Sequence, residues 1–271
     1  MCDLLGLTFN MNIVAKISLN LFQERGIANP DGWGLAFYDE KQLQVIKEAK
    51  SSTSSSLYDF MENWINSNLI ISHVRRSTRG EPSYLNTHPF YRRLSTNGVN
   101  YEYTFAHNGT LTDVDSLLAR NFSPIGETDS ETAFCYILDK ISLREHLRWD
   151  TKDFQFLESM LKEINDGQNT LNCMFSDGVR LFCYSDENDY NNGLRFVRHD
   201  YPFGKVELIS EDATLGYVDI TSGEEQPPKK PLQNGFIIST KILTKESWTE
   251  FHEGELIVFE EGRIIYPNSR M

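Results

Sequence analysis

Apolar and polar positions change period several times along the chain. Residues 3–9 (DLLGLTF) form an apolar run that predicts a strand starting almost at the N-terminus. Residues 12–25 have helical spacing, and Gly26 supplies a stop. NPDGWG (29–34) is rich in turn formers and leads into GLAFYDE and LQVIKEA, read as two strands around an Asp-Glu-Lys turn. Ser51–Ser56 reads as a loop and LYDFMENWINS (57–67) as a helix. LIISHVR (69–75) barely alternates, which predicts a buried strand. A polar loop is expected from Arg76 to about Asn100, followed by a strand, YEYTFAHN. Helices are predicted over 129–147 and 153–165. TLNCMFSD and VRLFCYSD flank an Asp-Gly turn at 177–178, and GFIIST, GELIVFEE and IIYP give the last strands. Residues 187–193 and 222–231 read as surface loops. Strands at both ends with helical stretches between them predict an α+β fold, two sheets packed with helices outside. No repeat or boundary divides it, so residues 1–271 read as a single domain.

Composition narrows the partners. A chain of 271 residues with 39% hydrophobic positions can bury a core without disulfides or metal. Its formal charge of -13 opposes binding to nucleic acid or to an anionic membrane surface. The four cysteines form no CxxC pair, and no histidine cluster has zinc-like spacing, so no metal is expected. Cys135, Cys173 and Cys183 sit in apolar stretches and read as buried hydrophobes in a reducing compartment. There is no basic n-region, and no apolar window of about 18 residues, so the cytoplasm is the expected location.

The candidate chemistry begins at Cys2. Its small side chain favours removal of Met1, which would put a free α-amine on the residue that carries the thiol. An α-amine has a pKa of about 7.7–8.0, suited to a general base near neutral pH. Cys2 would then need no separate histidine. HVRRSTRG (73–80) ends a strand in arginines, and Arg75 or Arg76 could hold a carboxylate through two parallel hydrogen bonds. In NTHPF (86–90), Pro89 restricts His88, which is a ligand candidate or a structural hydrogen-bonding group. FAHNGTL (105–111) contains Asn-Gly, the strongest hairpin dipeptide. The same pair could hold an oxyanion, through the Asn108 amide and the Gly109 N–H. In ETDSETAF (127–134), Thr128 and Glu131 make a capping box that would fix Asp129 in the first turn of a helix.

Taken together and in this order, Cys2, HxRxxT, NTHPF, AHNG and TDSE resemble the class II glutamine amidotransferases, a family of N-terminal-nucleophile hydrolases. NPDGWG and LTKESW (243–248) are similar to its stand-alone, YafJ-like branch. The resemblance is tight over residues 2–134 and looser beyond. It implies a four-layer αββα sandwich of two mainly antiparallel sheets. It implies that Cys2 attacks the γ-amide of glutamine or a γ-glutamyl compound, forms a thioester and releases ammonia or an amine. It also implies that Asn108 and Gly109 form the oxyanion hole. Arg75 would bind the α-carboxylate, with a further contact from Thr78, and Asp129 would bind the α-ammonium. His88 joins them as a substrate-binding candidate. No organic cofactor is implied, because thiol and amine supply the chemistry. An ammonia acceptor would be a partner enzyme. Arg76, Ser77 and Arg79 depart from the Trp, Ala and His common in fused members, and the added charge suggests a substrate with a further acidic group. Two other functions remain compatible with the residues: a catalytically silent pocket for a γ-glutamyl ligand, and a cysteine acylase of another N-terminal-nucleophile family, which would share Cys2 but not the AHNG and TDSE pair.

Overall fold

The computed structural model describes residues 2–96, 99–144, 147–201, 205–209, 214–219 and 233–271. The first half of the chain runs β1 (Asp3–Val14), α1 (Lys16–Gln23), β2 (Gly32–Asp39), β3 (Gln42–Glu48), α2 (Ser56–Trp64), β4 (Asn66–Arg75), β5 (Phe90–Thr96) and β6 (Val99–Thr110). Two helices follow, α3 (Asp129–Ser142) and α4 (Thr151–Ile164). Then come β7 (Thr170–Ser176), β8 (Arg180–Tyr184), β9 (Arg195–Asp200), β10 (Lys205–Ile209) and β11 (Thr214–Asp219). The chain closes with β12 (Asn234–Ser239), β13 (Thr249–Glu250), β14 (Leu256–Glu260) and β15 (Arg263–Tyr266).

Among the described residues these strands form two large antiparallel sheets and one small hairpin, β10-β11. The first sheet has the order β13-β9-β12-β1-β4-β2-β3 and the second β15-β14-β8-β7-β6-β5. Strand parity sorts their side chains into three cores. Leu4, Ile71, Ala106, Met174 and Ile257 fill the space between the sheets. Leu5, Leu7, Trp33 and Val74 face the other way and pack on Leu19, Phe22 and Tyr58 of α1 and α2. Phe105, Phe175 and Phe182 pack on Phe134, Leu157 and Leu161 of α3 and α4. The result is the expected four-layer αββα sandwich. No described helix is long and apolar enough to cross a membrane.

Several elements differ from the sequence reading. β1 runs on to Val14 through Asn10 and Asn12, so the first helix starts at Lys16 instead of residue 12. The expected loop from 76 to 100 contains β5. Its register on β6 buries Phe90 and Leu94 and exposes Tyr91, an alternation its polar residues mask on an edge strand. Asn108-Gly109 is not a turn, because both residues lie inside β6, paired with Asn172 and Leu171 of β7. The helix expected over 129–147 stops at Ser142. Thr128 does cap it, accepting from Glu131 N–H, but the box is not reciprocal: the Glu131 carboxylate accepts from Gly126 N–H and pairs with Arg92. A reciprocal box caps α4 instead, between Asp150 and Asp153. Strand β9 was not legible, and the expected loop at 222–231 lies outside the described residues.

Candidate active site

Cys2 immediately precedes β1, two residues before Leu4, so strand parity turns its side chain toward the second sheet. Its Sγ sits at the end of β4, 3.2 Å from Arg76 N, which donates to it, and 3.3 Å from Arg76 O, which it can donate to. Burial pushes the Cys2 thiol above its ordinary value, partly opposed by the Arg76 N–H and the Arg75 charge. The resting group is therefore a thiol at neutral pH, and attack requires a base. The next residue, Asp3, points the opposite way and anchors the strand. It pairs with Arg25 at 3.1 Å and accepts from Asn29 (3.1 Å) and Thr240 (2.9 Å).

Arg75 ends β4, and its guanidinium organises the segment that follows. It donates to Ser77 Oγ (2.5 Å) and to the carbonyls of Arg79 (2.8 Å) and Gly80 (2.9 Å). Three of its five donors are used this way, which leaves two for a ligand. Asp31 staples the same corner from the other side. Its N–H donates to Arg75 O at 3.0 Å, and its carboxylate accepts from Ser77 N–H at 2.7 Å.

The second sheet contributes β6. Asn108 shares the inward face with Ala106, so its amide points into the layer that holds Cys2. It is 1% exposed, and among the described residues neither its Oδ1 nor its Nδ2 has a hydrogen-bond partner. An unpaired buried amide is costly, about 1–3 kcal/mol for each unsatisfied group, and such costs concentrate where a ligand supplies the partner. Gly109 is required for packing: a Cβ there would lie 2.0 Å from Thr170 O. Its N–H direction follows from alternation along the strand. Thr110 N–H points toward β7 and reaches Thr170 Oγ1 at 2.8 Å, so Gly109 N–H points the other way. On that side β5 pairs only as far as Phe90 with Phe105, which leaves the edge open.

The start of α3 stands beside this edge. Asp129 is buried and accepts from Leu111 N–H at 2.6 Å. His107 Nε2 donates to Thr170 O (2.9 Å), which fixes the tautomer and leaves Nδ1 to accept from Ser130 Oγ (2.8 Å). This pair ties β6 to the first turn of α3. His73 and His88 lie in contact, with ring centroids 4.3 Å apart and the rings tilted by 46°. Burial first, and neighbouring positive groups second, lower His73 to about 3 and His88 well below its ordinary value. Both rings are neutral at pH 7, so His88 offers a polar wall, not a positive charge.

Cys2, Arg75, Thr78, His88, Gly109 and Asp129 all border one small cleft. Asn108 is the one expected site residue that does not line it; its amide faces the layer between the sheets. Past Thr78 and Arg79 the cleft widens into a groove lined also by Glu81, Pro82 and Glu127. In this groove Arg79 stands with two carboxylates, Glu81 and Glu127, whereas Arg76 and Arg79 both also border the cleft beside Cys2.

A sequence model of the class-II glutamine amidotransferases matches residues 1–270. The chain belongs to that family. It is similar to YafJ of Escherichia coli K12, named as a glutamine amidotransferase, with 33% identity over 266 residues that cover 96% of this chain and 97% of YafJ. It is 40% identical to MJ1515 of Methanocaldococcus jannaschii over 273 residues, all of this chain and 72% of that protein. A crystal structure from Pseudomonas aeruginosa PA01 described as a glutamine amidotransferase superposes with a TM-score of 0.67, covering 98% of this chain and 100% of that one. At 24% identity that likeness shows the fold.

Three features of the site escaped the sequence reading. Asp31 lies in NPDGWG, which reads as a turn, yet it braces the corner after Arg75. The Asp3 anchor gives no local signal, because Arg25, Asn29 and Thr240 are distant in the chain. The segment 187–193 is not a plain surface loop. It places Tyr190 close enough to Cys2 for a thiolate there to raise the tyrosine hydroxyl further, beyond the larger effect of burial.

Proposed function

We propose that this chain hydrolyses the γ-amide of glutamine, or of a γ-glutamyl compound, with Cys2 as nucleophile once Met1 is removed. The observation that carries this reading is the buried, unpaired Asn108 amide on the face opposite the Cys2 thiol, flanked by the open Gly109 N–H. In the proposed reaction the free α-amine of Cys2 takes the thiol proton, and Sγ bonds to the amide carbon. The oxyanion is held by Asn108 Nδ2 and Gly109 N–H. The C–N bond then breaks, and the nitrogen leaves with the proton from the amine. Water attacks the γ-glutamyl thioester, and glutamate departs with the thiol restored. Arg75, with Thr78, receives the α-carboxylate, and Asp129 receives the α-ammonium. His88 forms part of the wall between them. The four cysteines are free, which supports a reducing, cytoplasmic setting.

The test is glutamate and ammonia release by protein whose Met1 has been shown to be absent. Equal amounts of the two products are expected. A processed protein that releases neither from glutamine nor from any γ-glutamyl amide would sink the reading in favour of a binding protein. Co-purification with an enzyme that consumes the ammonia would extend it from hydrolysis to transfer. Outpacing of every γ-glutamyl peptide by free glutamine would remove the γ-glutamyl branch of the proposal.

Two substitutions separate the roles. Asn108→Ala is expected to lower kcat by about 10²–10³, the usual loss for one oxyanion donor. Turnover equal to the parent would take Asn108 out of the mechanism. Arg75→Lys is expected to raise KM about tenfold or more, with a smaller fall in kcat, because an ammonium cannot hold Ser77, Arg79 and Gly80 in place and still reach the carboxylate. If Arg76→Lys has that effect instead, the carboxylate receptor is Arg76.

A further inference from the structure

The segment between β8 and β9 makes a tight left-handed turn. Asp189, Asn191 and Asn192 all have left-handed backbones, with φ of 53°, 57° and 60°. Outside glycine, Asn and Asp adopt such conformations most readily. The turn is also firmly fixed. Asp186 Oδ1 accepts from Asn188 N–H (2.8 Å) and Tyr190 N–H (3.1 Å). Asp186 Oδ2 accepts from Leu171 N–H (2.6 Å) and Asn165 Nδ2 (2.9 Å). Asn172 Nδ2 donates to Tyr190 O at 2.8 Å. Asn172 is the cross-strand partner of Asn108, so the turn is tied to the residue next to the unpaired amide.

Topology places the turn on the far flank of the nucleophile. In the first sheet β1 lies between β4, which carries Arg75, and β12, and the turn leads into β9 beyond β12. In the second sheet β6 lies between β5, entered from His88, and β7, to which the turn is tied. On both sheets Arg75 and His88 are on one side of the reacting pair, and Tyr190–Asn191 is on the other. Asn191 repeats the condition of Asn108: both side-chain amide atoms are buried and have no partner among the described residues.

We infer that the Tyr190–Asn191 turn recognises the leaving-group half of the scissile amide. The role presupposes thioester formation at Cys2, as proposed above. When the amide carbon is bonded to Sγ, its oxygen faces Asn108 and Gly109, and its carbon chain runs to Arg75 and Asp129. The leaving nitrogen is left to the opposite flank. There the Asn191 carboxamide oxygen accepts from the nitrogen's N–H, and the Tyr190 ring borders any substituent the nitrogen carries. Ammonia or a primary amine is the class of leaving group that fits.

Asn191→Gly tests this. Glycine adopts a φ near 57° without strain, and the substitution removes a buried unpaired amide, so the fold should be at least as stable. Expected is a fall in kcat/KM of about tenfold for glutamine and for γ-glutamyl-p-nitroanilide, the scale of one lost hydrogen bond. The rate of alkylation of Cys2 by a diazo-ketone analogue of glutamine should stay within about twofold, because that reagent has the amino-acid head and no leaving amine. Tyr190→Ala should change the ratio of kcat/KM between the two amides, with alkylation again unchanged. Unchanged amide turnover in Asn191→Gly, or alkylation falling in parallel with it, would overturn the role. Failure of the parent protein to be alkylated at all would overturn the thioester chemistry itself, which is a different result on the same gel.

Discussion

Cys2→Ala should abolish amide hydrolysis, a loss on the scale of about 10⁶ in kcat if Cys2 is the activated nucleophile. The side chain contributes little else. Its thiol bridges only the backbone of Arg76, while the strand is anchored through Asp3 to Arg25, Asn29 and Thr240. Thermal stability should therefore change by no more than about 1 kcal/mol, within the range of ordinary substitutions. Melting and kinetics measured on the same preparation check both halves. Residual turnover within a hundredfold of the parent would mean that another group does the chemistry. The other three cysteines are poor substitutes, because Cys173 and Cys183 are completely buried and burial pushes their thiols far up, and Cys135 lies within α3 away from the cleft.

The second large effect concerns the base. A variant with a bulky residue inserted between Met1 and Cys2 keeps the thiol but ties the cysteine nitrogen into an amide. Loss of general-base help is worth about 10²–10⁴ in rate. The elevated Cys2 thiol makes the dependence steep, because the resting sulfur is protonated and little thiolate exists without a base. No described imidazole is placed to take over. His73 and His88 are buried weak bases, and His107 is already committed to Ser130 and Thr170. Turnover should fall by that factor, and alkylation of Cys2 should slow with it. Full activity in the extended variant would show that the base is a side chain.

The candidate site was legible largely because its chemistry is carried by short segments. HxRxxT, AHNG and TDSE each place their key residue at the end of a strand or the start of a helix, and the fold brings those ends together around Cys2. The residue types survived where the local geometry did not. Asn108-Gly109 reads as a hairpin turn, but pairing with Asn172 and Leu171 keeps it extended. That difference matters, because an extended Asn108 points its amide between the sheets, whereas a turn would show it to solvent. β5 stayed hidden because an edge strand needs only alternate apolar residues, and Arg92 and Arg93 interrupt even those. The turn at 189–193 stayed hidden for another reason. Asn and Asp in a polar run signal a loop, and nothing local shows that Asn172 and Asp186 will tie it to the strand beside Asn108.

The most direct measurement is the intact mass of the purified protein before and after incubation with a diazo-ketone analogue of glutamine. The account predicts a starting mass that lacks Met1, one covalent adduct per chain, and no adduct in Cys2→Ala. A protein that retains Met1 and stays unmodified, or an adduct that persists in Cys2→Ala, would contradict it.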